Sequence, residues 1–99
     1  MNLKDMSRDE RGLLLFLETC LVDYCGRVNK ARMNQLDEEI GQRWIEEGFV
    51  SGGRIASDDH NGQGAHWIEF SEEAWKLAHE ERRARFERNT RQYRKTSEL

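Results

Sequence analysis

"FVSGGRIASDDHNGQGAHWIEFS", residues 49–71, holds four of the chain's eight glycines and two of its three histidines. Three readings compete for it: a metal-binding loop, a phosphate-cradling loop, or a reversal joining two strands. The flanks decide among them. Phe49-Val50 and Arg54-Ile55-Ala56 suit one strand, with Ser51-Gly52-Gly53 bending or bulging it. His66-Trp67-Ile68-Glu69-Phe70 alternates as a second strand does. Between them, Asp58-Asp59-His60-Asn61-Gly62-Gln63-Gly64 contains the Asn-Gly pair and glycine neighbours that supply the positive φ angles of a hairpin. The stretch reads as strand, polar tip, strand.

The two chemical readings lack their spacing. His60 and His66 stand on either side of a glycine-rich reversal, with no HxxxH or CxxC pattern beside them. Asp58, Asp59 and Asn61 lack the closing glutamate of a calcium loop. A metal-dependent enzyme built on His60, His66 and Glu69 is therefore the weakest functional reading, and no metal or other cofactor is expected. GGRIA does not match a P-loop, and Gly62-Gln63-Gly64 opens a strand rather than the helix that a phosphate needs.

Upstream, the periodicity turns helical. Asn34 offers an N-cap with Asp37 in the first turn, and Leu36, Ile40 and Trp44 recur on one face until Gly48. Gly41 leaves a place on this helix where another backbone can come close. Before it, Asn29 caps a single turn over Lys30–Met33, and Gly26-Arg27-Val28 is short and extended. Ser7-Arg8-Asp9-Glu10 is a capping box, and Leu13, Leu14, Leu17, Leu21 and Tyr24 mark a first helix near 8–25. Cys20 and Cys25 fall inside that segment at a spacing that fits neither a zinc knuckle nor a redox pair, so two reduced core thiols are expected. Placed among leucines, neither supplies the surface nucleophile that a Cys–His mechanism requires.

Downstream, Ser71 caps a last helix with Glu72 and Glu73 in its first turn. Trp75, Phe86 and Tyr93 fall within about 20° of one another on it. Beyond residue 80 the apolar content thins. This predicts a folded domain over 1–80 and a basic helical extension over 81–99. Trp44, Trp67 and Trp75 are expected in the core.

Helix, short helix, helix, two strands, helix is an order that resembles the winged-helix superfamily. The residues that carry the resemblance are the run RWIEEGFV at the end of one helix, the GRI strand, and the helix start EFSEEAWKLA. It covers residues 8–80 and implies an α+β winged helix-turn-helix: three helices, a two-stranded wing over 49–71, and a C-terminal basic helix. The chain's size is also similar to that of small bacterial or phage-encoded proteins. Nothing in the sequence recommends an enzyme, and no catalytic residue is assigned.

Ninety-nine residues with 35% charged and 36% hydrophobic side chains make one small domain with a polar periphery. The longest apolar run, Leu13–Leu17, is far short of the ~20 residues that cross a membrane. With no apolar stretch near the N-terminus to act as a signal peptide, a cytoplasmic location is expected. The net charge of −3 hides an asymmetry: residues 1–81 carry nine Lys/Arg against seventeen Asp/Glu, and residues 82–95 carry seven against one.

That asymmetry shapes the choice of partner. A winged helix that reads DNA usually sets its third helix in the major groove. Here residues 35–47 carry five acids and one arginine, a face that phosphates repel. A protein partner is the first expectation, met by Asp37, Glu38, Gln42, Arg43 and Glu46. The alternative is a DNA-binding regulator that presents Arg54 of the wing and the arginines of the last helix, Arg82, Arg83, Arg85, Arg88 and Arg91, to the duplex. Those arginines have a structural reading too, as partners of nearby glutamates. The oligomeric state stays open between a monomer and a homodimer through the C-terminal helix.

Overall fold

The computed structural model describes residues 1–55 and 66–94, with side chains described through Arg91. The predicted hairpin tip, Asp58 to Gly64, lies outside the described residues, as do Ala56, Lys95 and the chain end. The architecture is α+β: α1 (Arg8–Asp23), β1 (Arg27–Val28), α2 (Gln35–Glu46), β2 (Val50–Arg54), β3 (His66–Phe70) and α3 (Glu72–Arg94), with 3-10 turns at Leu3–Asp5 and Lys30–Arg32. No helix among the described residues is long and apolar enough to cross a membrane.

The caps fall where the residue types put them. Ser7 Oγ accepts from the Glu10 N–H at 3.1 Å, and the Ser7 N–H donates to Glu10 Oε1 at 3.1 Å. Asn34 and Asp37 make the same reciprocal pair at the start of α2. These side chains satisfy backbone donors that the first helical turn leaves orphaned. Ser71 goes further. Its Oγ accepts from the Ala74 N–H and donates to the Phe49 carbonyl at 2.8 Å, tying the start of α3 to the start of β2.

The expected two-stranded wing is a three-stranded antiparallel sheet, ordered β1-β3-β2. The extra strand is the short extended segment after α1. Cys25 and Gly26 take positive φ of 55° and 81°, which swings the chain off the helix and back along β3. The Ile68 N–H then donates to the Gly26 carbonyl at 2.9 Å. A Cβ at Gly26 would sit 2.8 Å from the Ile68 carbonyl oxygen, so that position needs glycine for space as well as for φ. Of the bend or bulge expected at Ser51–Gly53, the bulge is absent. β2 pairs with β3 without a skipped residue, from Val50↔Phe70 to Arg54↔His66.

The core is built from Leu13, Leu14 and Leu17 of α1, Ile40 and Trp44 of α2, Val50 and Ile68 of the sheet, and Ala74, Leu77 and Ala78 of α3. Trp44 is fully buried and meets Phe49 edge-on at 5.2 Å. The other two tryptophans depart from expectation: Trp75 is half-buried against Phe70, and Trp67 is 40% exposed. Trp67 shares a sheet face with its partner Gly53, where its indole lies so close that a Cβ would meet Nε1 at 2.9 Å. Leu36, predicted on the core face of α2, is exposed as well. Cys20 is buried, whereas Cys25 lies past the helix end and is exposed.

α3 runs unbroken through residue 80, where the sequence places the domain boundary. Its inner face continues as Ala74, Leu77, Ala78, Glu81 and, farther along, Thr90. This row lies beside the Trp75–Phe86 line rather than on it, and Phe86 is 65% exposed.

Candidate functional site

Two charged regions stand on different sides of the molecule. The first lies between α1 and α3. Burying a carboxylate is costly unless charge and hydrogen bonds compensate it. Glu18 of α1 and Glu81 of α3 are only 3% and 2% exposed. Glu18 accepts from Arg82 Nε, and His79 Nε2 stands 3.4 Å from its other oxygen. Arg82 also donates to the Leu15 carbonyl and to Thr19 Oγ1. Around Glu81, Arg88 lies at 3.4 Å, Arg85 at 3.9 Å and Arg11 of α1 at 4.0 Å, while Glu81 Oε2 has no partner among the described residues.

The second region is a groove of about 410 Å3 between α2 and the sheet. Its floor is apolar: Leu17, Val28, Val50 and Ile68. Gly41 on the helix and Gly52 on the strand face into it, and neither fills it with a side chain. Ile45 and Met33 add apolar wall, and Trp67 of β3 also lines the groove. The polar lining is Lys30, Glu38, Gln42, Arg54 and His66. No ion pair forms at Lys30, Arg54 or Glu38 among the described residues. A small, mostly apolar cleft with a few polar groups on its lip has the form of a ligand or side-chain pocket.

The sequence-derived candidates divide between these regions. Glu38 and Gln42 line the groove, and so does Arg54. Asp37 is half-buried and held by the Asn34 cap. Arg43 turns to α1, donating to Glu10 Oε2 at 2.8 Å, with Glu47 at 3.9 Å. Glu46 is exposed on the outer face of α2, beside Gln42. In α3, Arg82, Arg85 and Arg88 gather on the two inner glutamates, Arg83 pairs with Glu87 at 3.3 Å, and Arg91 is exposed. His66 and Glu69 are three apart on β3, on opposite faces by strand alternation. His60 lies outside the described residues, and among those described no three potential ligands come together.

Sequence reasoning missed the groove itself. Its walls are the helix face at Gly41 and Ile45 and the strand at Gly52, joined by residues from before α2, Lys30 and Met33. Gly41 was the one available signal, since a helix-interior glycine facing another element marks close approach or space. Comparison of the chain with protein-family models, with curated proteins and with solved structures gives no match.

Proposed function

We propose that this chain is a small winged-helix interaction module that works by binding a protein, without catalysis. The succession α1, β1, 3-10 turn, α2, β2, β3 supports the winged-helix reading, with α2 as the third helix and β2–β3 as the wing. Functional inference has to rest on sites rather than on that order. The observation that carries it is the contrast in charge: α3's arginines at 82, 85 and 88 gather on Glu18 and Glu81, while Lys30, Glu38 and Arg54 line the α2 groove with no ion pair among the described residues. A phosphate backbone needs several uncommitted cations on one surface. A protein surface needs an apolar patch with a polar rim.

The rival regulator reading draws on Arg83 and Arg91, which are exposed, together with Arg54 of β2. Titration with a random duplex of about 20 base pairs at roughly 50 and 200 mM salt separates the two. Weak or absent binding at low salt is expected. Tight binding that falls steeply with salt and is lost in Arg83→Ala/Arg91→Ala overturns the protein-partner reading.

A further inference from the structure

We propose that the groove receives an extended peptide that adds as a strand to the outer edge of β2, and that this peptide carries an apolar side chain and a carboxylate. The inference rests on the protein-partner reading and names the chemistry of the partner.

The sheet leaves β2 at its edge, because β3 lies between β1 and β2. In an antiparallel pair, alternate residues point their backbone groups toward and away from the neighbour. The Ser71 N–H donates to the Phe49 carbonyl, which makes Phe49, Ser51 and Gly53 the residues turned toward β3. The complementary bond from the Ile68 N–H to the Gly26 carbonyl, on the other edge of β3, fixes the same phase. Val50, Gly52 and Arg54 therefore direct their N–H and C=O groups outward. Val50 is buried, whereas Gly52 is half-buried and Arg54 exposed. The outward groups of Gly52 and Arg54 have no hydrogen-bond partner among the described residues. An edge with unpaired groups is a template for another strand, and proteins usually block such edges with charge, proline or bulges. Here the edge is a regular strand with Ser51-Gly52-Gly53 at its centre.

The groove supplies specificity beside that edge. Strand addition gains affinity from backbone bonds and selectivity from pockets that accept alternate side chains. Gly41 leaves the space, and Val28, Val50 and Ile68 make its floor apolar. Among the described residues the lining carries two cations without an ion pair, Lys30 and Arg54, against one carboxylate, Glu38. Charge complementarity thus selects an acidic residue in the incoming strand over a basic one.

The test pans a displayed library of random peptides of about 12 residues on the full chain, with the Gly41→Leu variant as counter-target. A Cβ at Gly41 meets only Met33 Cε, at 3.9 Å, so leucine fills the groove while leaving α2 intact. Circular dichroism and thermal melting verify that the variant is folded. Enriched peptides should alternate apolar residues with at least one Asp or Glu, and should not bind Gly41→Leu. Arg54→Glu should weaken them about tenfold. In NMR spectra of the complex, the Gly52 and Arg54 amides should gain hydrogen-exchange protection, while those of Ser51 and Gly53 should change little. Peptides that bind Gly41→Leu equally well, or that protect no β2 amide, overturn strand addition. If such peptides instead lose binding on Glu46→Lys, strand addition falls and the protein-partner reading stands on the outer face of α2. If no peptide is enriched and the duplex binds tightly, both fall.

Discussion

Between α1 and α3, two buried glutamates gather four arginines and a histidine; between α2 and the sheet, Lys30, Arg54 and Glu38 line one groove without an ion pair among the described residues. The same residue types give opposite outcomes because the two packings differ. α1 and α3 lie side by side, so an inward carboxylate must be met by cations from either helix or remain uncompensated. Where α2 faces the sheet, Gly41 puts no side chain into the space between them, and the charged residues Lys30, Glu38 and Arg54 on the lip are exposed. One side uses charge to join helices. The other leaves its charge open to solvent.

The strongest test of this contrast removes what the open side leans on. Trp44 is fully buried on the inner face of α2, edge-on to Phe49. Trp44→Ala should cost about 3–5 kcal/mol in chemical denaturation. Trp44→Phe should cost much less, because Nε1 is buried without a hydrogen-bond partner among the described residues and its loss leaves no other group unpaired. Equal losses in the two variants would mean that a phenyl ring cannot fill the indole's place in the core.

Next in size is the closed side. Arg82→Ala strips Glu18 of its main partner while the carboxylate stays buried. The expected loss is about 2–3 kcal/mol, below the usual range for a broken buried pair because Arg82 is itself half open to water. Glu18→Gln/Arg82→Ala should recover part of it, since the buried charge is then gone. A loss under about 0.5 kcal/mol for Arg82→Ala would put this network among ordinary surface pairs and remove the contrast.

Much of the fold was legible because its signals are local. Ser7, Asn34 and Ser71 act on backbone groups within three residues, so their caps follow from residue type alone. What stayed hidden depends on long-range register. Arg27–Val28 joins the sheet only because Cys25 and Gly26 turn left-handed, and a two-residue strand has no periodicity to read. Trp67 was expected inside as a large aromatic, yet Gly53 opposite it gives the indole a seat on the outer face. The site divides in the same way. Glu38, Gln42 and Arg54 can be named from a charged helix and the strand after it, but the inner role of Arg82 requires knowing that Glu18, 64 positions earlier, faces it.

The cysteines sharpen the comparison at smaller scale. Burial pushes the Cys20 thiol above its ordinary pKa, with the Arg32 guanidinium partly offsetting it. The folded state therefore holds the proton more tightly than the unfolded chain. Its contribution to stability is complete below the unfolded thiol's pKa and is lost as pH rises through the folded value. Alkylation at neutral pH should modify exposed Cys25 quickly and Cys20 only on unfolding, read by mass spectrometry of the two peptides. Equal rates would show that the α1 end opens locally.

The smallest expected effect is the most telling for function. Arg54 is exposed at the end of β2 and makes no ion pair among the described residues. Arg54→Ala should therefore change stability by no more than about 0.5 kcal/mol, the range of an uninvolved surface position. Set beside Arg82→Ala, it compares two exposed arginines of one chain with opposite commitments. A cation that adds little to the fold and stands at the lip of an apolar groove fits the proposed role of meeting an incoming carboxylate. A loss above about 1 kcal/mol would instead make Arg54 part of the sheet's own support, and the groove would lose the charge that favours an acidic partner.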